Sequence, residues 1–361
     1  MAKNKKEFRE ELTQQFLSLL ESENLNWIKE WSSLDATPIN GSSGKQYAGI
    51  NHFKLLMTML QHGWSDPRFM TFNQVRKMHK ENGAGLCSVI KGSKGFQVEY
   101  WFMNDLKKAF GQKGKFLSFQ DANKLIDQGL REPSDFQLTS RYYTVFHASQ
   151  IEGITEYDSE RERNPLVHRD EIVDRISKSM NVPIEYNDGD RCFYRPSEDK
   201  IYLPKPEYFK TQYAFVSTAL HEEGHSTGAP DRLNRNIENF FGTAEYAFEE
   251  LVAEMTSCFI ASDIRMPDDD DQEYWDYHLK NHAGYVQSWA EILKDDINAL
   301  PRAIKQAEQA ADYLEMHAGI MPVSEYEKKY SKENSRTLTI NENNIVQEEQ
   351  SAELMLTPTI A

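Results

Sequence analysis

Cysteine is scarce: there are three in 361 residues, Cys87, Cys192 and Cys258, set far apart along the chain. They cannot form a disulfide framework, so a reducing, cytosolic setting is the expectation. Long apolar runs are missing too. No stretch of about eighteen apolar residues occurs, which argues against a membrane-spanning helix. The opening residues "MAKNKKEFREELTQQFLSLL" are charged through their first half, and no small-residue cleavage site follows, which argues against a secretory signal. Internal repeats are absent as well. What remains is the composition of a soluble globular chain, 39% hydrophobic and 12% aromatic, long enough for two domains.

Positive charge is short overall, with a net of −16, but the shortage is uneven. Residues 1–134 hold 19 Lys and Arg against 14 Asp and Glu, whereas the remainder holds 22 against 43. A basic part facing a polyanion and an acidic part avoiding one would give this asymmetry. Drift of surface charge between domains is the plainer alternative.

Apolar spacing predicts an amphipathic helix over 5–22, with Phe8, Leu12, Phe16 and Leu19 on one face. A second helix, "GINHFKLLMTMLQHG", stops at Gly63, and a third is capped by Thr71 and ends at Gly83. The segment "LCSVIKGSKGFQVEYWF" reads as a hairpin turning through Lys91–Gly95, and "SRYYTVFHASQIEGI" as a further strand. The expected class is α+β, with a first domain over 1–155 and a second over 165–325. In the second, a helix over 169–180 precedes a hairpin or pair of strands in "IEYNDGDRCFYRPSEDKIYLP". Helices near 207–226, 244–263, 272–294 and 299–317 follow. Residues 331–361 are polar and aperiodic and read as a mobile tail or docking peptide.

The stretch "STALHEEGHSTGAPDRLNR" carries His-Glu-x-x-His. Helical residues four apart share a face, so His221 and His225 can both aim ring nitrogens at one zinc ion. Glu222 beside the first histidine is the candidate general base. A third ligand must come from elsewhere, and "AEYAFEELVAEMTSCFIAS" offers Glu249, Glu250 and Glu254 on a helix whose Phe248, Leu251, Val252 and Met255 would pack against the first. Glu250 and Glu254 lie at i and i+4, so one can bind the ion while the other supports a histidine. Two histidines on a surface helix are the bland alternative. The apolar run before the motif, the glycine-bearing turn after it and the acidic helix beyond count against that alternative. "DKIYLP" is expected to form the sheet edge above the cleft, where a substrate strand could add.

The basic half interleaves cations with flat rings, as single-stranded nucleic acid requires. Its loop Lys91-Gly92-Ser93-Lys94-Gly95 could set backbone N–H groups and two ammoniums against a phosphate. The candidate contacts are Tyr47, Asn51, Arg68, Lys91, Lys94 and Trp101. Most of the aromatics in this half are expected to be core.

"QYAGINHFKLL", "DPRFMTFNQV", "KGSKGFQVEYW" and "VFHASQIEGI" resemble successive signatures of the N-terminal domain of ArdC-like antirestriction proteins. "DKIYLP", "LHEEGHSTGAPDRLNR" and "YAFEELVAEMTSCF" resemble the zincin-type peptidase domain that follows it in that family, and the likeness runs from about 5 to 320. The resemblance implies a single-stranded-DNA-binding domain fused to a zincin-like metallopeptidase domain with a small sheet and the HExxH helix. Plasmids, phages and related elements carry such proteins to shield incoming DNA from host restriction. By motif position it implies His221, His225 and Glu250 as ligands and Glu222 as base. Two positions depart from the pattern: Ser226 stands where an aromatic is common and Glu223 where an apolar residue is usual. Helix geometry also prefers Glu250, since Glu254 shares its face and could orient a ligand, while Glu249 is expected to point about 100° away. A DNA-tethered zinc protease acting on restriction enzymes or other DNA-bound proteins is the alternative to a DNA-coating protein. No membrane partner is expected.

Overall fold

Phe8, Leu12, Phe16 and Leu19 recur on one side of α1 (Lys5–Ser22), and all four are buried. In the computed structural model, residues 5–22, 37–81, 87–107, 116–157, 171–237, 243–264 and 287–330 are described. They form two compact units, one of residues up to Val98 with Thr144–Met321, the other of Glu99–Tyr143 with the chain from Pro322 onward. After α1 come β1 (Ile39–Asn40), α2 (Gly49–His62), β2 (Arg68–Thr71) and α3 (Phe72–Glu81). Helix α2 ends because Gly63 turns left-handed at φ 62°, returning its N–H to the carbonyls of Met59 and Leu60. At the start of α3, Thr71 Oγ1 accepts from the Gln74 amide at 3.3 Å.

The strands that follow are β3 (Ser88–Val89), β4 (Phe96–Asp105), β5 (Phe116–Leu117), β6 (Phe136–His147) and β7 (Ile151–Glu152), with α4 (Phe119–Asp127) between β5 and β6. The sheet order is β1-β2-β6-β4-β5, and β4 and β6 carry the chain from the first unit into the second and back. The expected hairpin through Lys91–Gly95 does not form. Strand β3 instead pairs antiparallel with β7, and β4 joins the larger sheet. Gly95 is the physical reason: a Cβ there would fall 2.3 Å from Thr144 Cγ2, so glycine lets the chain close on β6 instead of folding back on β3.

Beyond residue 171 the order is α5 (Ile172–Met180), β8 (Ile184–Asn187), β9 (Phe193–Arg195), β10 (Lys200–Pro204), α6 (Gln212–Ser226) and α7 (Ala244–Asp263). Residues 287–295 form the described part of α8, followed by α9 (Ala299–Ala318) and α10 (Val323–Tyr330). The rest of the helix expected near 272–294, and the expected tail 331–361, lie outside the described residues. Three strands, not two, make this sheet, in the order β8-β10-β9. The "DKIYLP" strand is its centre, with β8 parallel on one side and β9 antiparallel on the other. The cause is local: Asp199, left-handed at φ 47°, turns the chain back so that β9 covers the side expected to be free.

Side chains from both sides of residues 155–165 share one core in the first unit. Leu12, Phe16, Phe53 and Leu56 from α1 and α2 join Leu220 of α6, Leu251, Val252 and Met255 of α7, and Leu314 of α9. Each large apolar side chain so buried contributes about 1.5–3 kcal/mol before entropy is counted. Alanines at 303, 307 and 311 give α9 a flat face, and Thr256 Oγ1 of α7 reaches the Ala307 carbonyl at 3.4 Å. Fully buried Trp289 donates its indole N–H to the Ala247 carbonyl at 2.7 Å, tying α8 to the start of α7. The second unit has its own small core of Met103, Leu117, Ala122 and Phe136. Among the described residues no helix is long and apolar enough to cross a membrane.

Candidate metal centre

Both helices of the centre begin on a threonine cap. Thr211 accepts from the Ala214 amide at 3.1 Å to start α6, and Thr243 from the Tyr246 amide at 3.2 Å to start α7. The two helices pack closely: Ser257 of α7 donates to the Ser217 carbonyl of α6 at 3.0 Å. That crossing brings His221, His225 and Glu250 together, with one donor atom of each within 4.8 Å of the others. The two Nε2 atoms are 3.2 Å apart, and Glu250 oxygens lie 3.5 Å from that of His221 and 3.6 Å from that of His225. Bonds of about 2.0–2.1 Å in a tetrahedral set separate ligand atoms by about 3.4 Å, so this donor set fits a divalent cation.

Each histidine is held from behind. His221 Nδ1 lies 3.1 Å from Glu254, and His225 Nδ1 lies 3.3 Å from Glu249. Such carboxylates fix the tautomer and leave Nε2 facing the ion. Glu249 therefore does not point away from the site, contrary to the expectation from its helical angle. Rotation by one residue carries it past Glu250 to the far side of the His225 ring. Arg235, left out by the sequence reading, completes the arrangement: it donates to both oxygens of Glu249, at 3.0 and 2.7 Å, and to the Gly224 carbonyl at 2.8 Å. Arg232 does similar work at the helix end, donating to the Ser226 carbonyl at 2.7 Å and bridging to Asp199. Two basic residues just after "STGAP" were the available signal, since cations favour a helix C-terminus.

Burial works against ionising Glu250, but hydrogen bonding to His221, the two histidine charges and the Tyr246 hydroxyl hold its carboxyl at about 2. Burial likewise opposes charge on His221, and Glu250 and Glu254 outweigh it, raising that ring's pKa well above normal. The site thus attracts positive charge. Glu222 differs: burial raises its pKa, and its Oε2 accepts from the backbone N–H of Tyr194 on β9 at 2.8 Å. Glu223 is buried, its carboxyl oxygens find no partner among the described residues, and burial pushes its pKa far up. Ser226 turns its hydroxyl onto the Glu223 carbonyl at 2.7 Å. Burial and the neighbouring Glu222 push the Cys192 thiol up to about 12.

The sequence-proposed nucleic-acid contacts are dispersed. Tyr47 packs against the cluster of Leu55, Met59, Phe69, Val98 and Val145, and burial raises its hydroxyl to about 12. Arg68 is engaged, donating to Asp66 at 3.0 and 2.7 Å and to the Thr155 carbonyl at 2.7 Å. Asn51 is half-buried on α2. Lys91 and Lys94 are exposed on a turn closed by Ser93 N–H to the Ile90 carbonyl at 3.1 Å. Trp101 is half-buried on β4 in the second unit. A different ring group sits near β2: Trp64 stacks on His147 at 4.0 Å and on His62 at 4.2 Å. Buried His147 accepts the Ser149 amide at Nδ1, 3.1 Å away, so its proton is on Nε2, facing the Asp66 carbonyl.

Residues 6–146 match the family of N-terminal domains of the anti-restriction factor ArdC, and residues 171–317 match the zincin-like metallopeptidase family. A DNA primase TraC of Escherichia coli is 33% identical over 322 residues, 87% of this chain and 27% of that protein. The chain thus spans about a quarter of that relative's length. The uncharacterized protein y4eC of Sinorhizobium fredii is 30% identical over 312 residues, 86% of this chain and 91% of that protein. The metal-free crystal structure of antirestriction ArdC from plasmid R388 superposes with a TM-score of 0.62 at 26% identity, covering 86% of this chain and 97% of that one. Its Mn(II)-bound form gives 0.60 at 27% identity over the same shares. Two family matches in this order, over an α+β fold shared with ArdC, place the chain in the ArdC-like antirestriction family.

Proposed function

We propose that the chain binds single-stranded DNA without sequence preference and protects incoming mobile-element DNA from restriction. The observation that carries this reading is the ArdC N-terminal match over 6–146, in the half of the chain where cations exceed anions. Lys91 and Lys94, exposed on one turn, are phosphate contacts in this reading. Such contacts position a strand but carry no base information. The metal is zinc, held by His221, His225 and Glu250, with Glu254 and Glu249 fixing the rings. Two histidines and a carboxylate leave a position open, which suits hydrolytic more than structural zinc. When bound, zinc supplies Lewis acidity and lowers the pKa of water it holds. Glu222 is the chain's own proton acceptor: the Tyr194 amide orients it, and its raised pKa brings it closer to working pH.

That Glu222 geometry favours a second reading, a zinc protease tethered to DNA and acting on DNA-bound proteins such as restriction enzymes. Glu222→Gln separates the two, because it removes the base and leaves the ligands. Under the first reading the variant protects DNA from restriction as wild type does. Loss of protection together with proteolysis selects the second. DNA binding is checked with the full chain: tighter binding to single strands than to duplex, weakening steeply with salt, is expected. A flat salt response or equal affinity for blunt duplex rejects it.

A further inference from the structure

In the second unit, β4 has one face in the core and one in the open. Met103 packs with Leu117, Ala122 and Phe136, and on the same side of β4 Glu99 accepts from the Tyr142 hydroxyl at 2.8 Å. Strand alternation sends Tyr100 and Phe102 the other way. There Tyr100 is 55% exposed, Phe116 of β5 41% and Tyr143 of β6 40%. The wet face of an antiparallel sheet is ordinarily polar. A contiguous group of exposed rings on it marks an interaction surface.

The rings form a row. Centroids step 6.4 Å from Tyr143 to Tyr100, 5.0 Å on to Phe102 and 5.5 Å on to Phe116. Their planes meet at 84°, 54° and 52°, so no two are stacked in parallel. Arg141 closes the row, its guanidinium carbon 3.9 Å from the Phe116 centroid and 5.7 Å from that of Phe102. Among the described residues Arg141 meets rings and no carboxylate. Two carboxylates of the same unit are already neutralised, Asp105 by Arg131 at 3.1 Å and Asp135 by Lys107 at 2.7 Å. The face therefore offers π surfaces and positive charge to whatever covers it.

We infer that this face is the stacking platform for single-stranded nucleic acid, with bases on Tyr143, Tyr100 and Phe102 and a phosphate at Arg141. The inference rests on the single-strand binding proposed above and names where it occurs. Unstacked bases supply flat partners for rings, and a phosphate supplies the counter-charge. A duplex hides its base faces, so the same row discriminates against it. Rings without base-edge donors give binding that tolerates any sequence.

The test uses the full chain and a fluorescein-labelled oligo-dT strand. Tyr100→Ala with Tyr143→Ala is expected to weaken binding roughly 100-fold, on the order of tenfold for each ring, with the salt slope unchanged. Arg141→Gln is expected to lower the slope of log affinity against log salt by about one. Ultraviolet crosslinking of wild type to oligo-dT, mapped by peptide mass spectrometry, needs no variant to fold and is expected to mark Tyr100, Phe102 or Tyr143. If wild type binds while the double variant binds within twofold, or the crosslinks fall only elsewhere, the platform is wrong and single-strand binding stands. If wild type binds no single strand, both fall together.

Discussion

The helix pair around His221 and the ring row around Tyr100 solve different binding problems. In the helix pair the polar groups are buried and coupled in layers: ligand atoms face one point, carboxylates hold the rings, and Arg235 holds one of those carboxylates. In the ring row the groups are exposed apart from half-buried Phe102, no two are parallel, and among the described residues a single cation sits at one end. An ion accepts ligands within a few tenths of an ångström, so its site must be fixed before it arrives. A single-stranded polymer adjusts its own torsions and needs only surfaces to lie against. Rigidity is concentrated where the ligand has no freedom of its own.

Removing a ligand tests the rigid side hardest. Glu250→Ala or His221→Ala is expected to abolish metal binding, measured by elemental analysis of protein purified without chelators. Glu249→Ala and Glu254→Ala should weaken it by about 10–100-fold, the usual cost of losing a partner behind a ligand. Full metal in Glu250→Ala, with loss in Glu249→Ala, would reverse the ligand assignment. Next in size is Arg235→Met. Arg235 and Glu249 have side chains only 6% and 8% exposed, and breaking a buried pair from one side costs about 3–5 kcal/mol. Urea unfolding should show that loss, and Glu249→Gln added to Arg235→Met should recover part of it; an unchanged midpoint would mean the layering carries no load. The smallest effect is a pH dependence at His147. Burial lowers its pKa, so below about 6.5 the unfolded chain binds the proton and the folded chain does not. Stability should fall as pH drops through that value, and His147→Asn should flatten the profile of melting temperature against pH.

The parts of the site that were legible are those set by a single helix. His221 and His225 share a face through the helical repeat, with Glu222 one residue along from the first, and Glu250 and Glu254 share a face in the same way; no tertiary information is needed. Where Glu249 reaches depends on how α7 crosses α6, which a helical angle alone does not specify. Arg235 follows a turn through left-handed Asn234, φ 52°, and nothing in its residue type tells where that turn delivers it. In the basic half, residue type does not tell which rings and cations the fold leaves exposed. Tyr47 is a ring and Arg68 a cation, but the first packs against a core cluster and the second is engaged by Asp66. "FQVEYWFMND" mixes polar and apolar residues at both parities and so hides whether Trp101 or its neighbours Tyr100 and Phe102 stand on the wet face. The missed pairing of β3 with β7 is of the same kind, a contact between distant segments that turn chemistry at Lys91–Gly95 does not encode.

Leu12, Phe16, Phe53 and Leu56, all within the ArdC-type segment, are packed among side chains of the zincin-like segment. A recombination joint near residue 160 would give each descendant half a core, leaving apolar faces of α1 and α2 in water on one side and those of α6, α7 and α9 on the other. Gene exchange can then move the pair as a unit far more readily than it can swap either half. A lineage that drops one segment must evolve a new cover for the other.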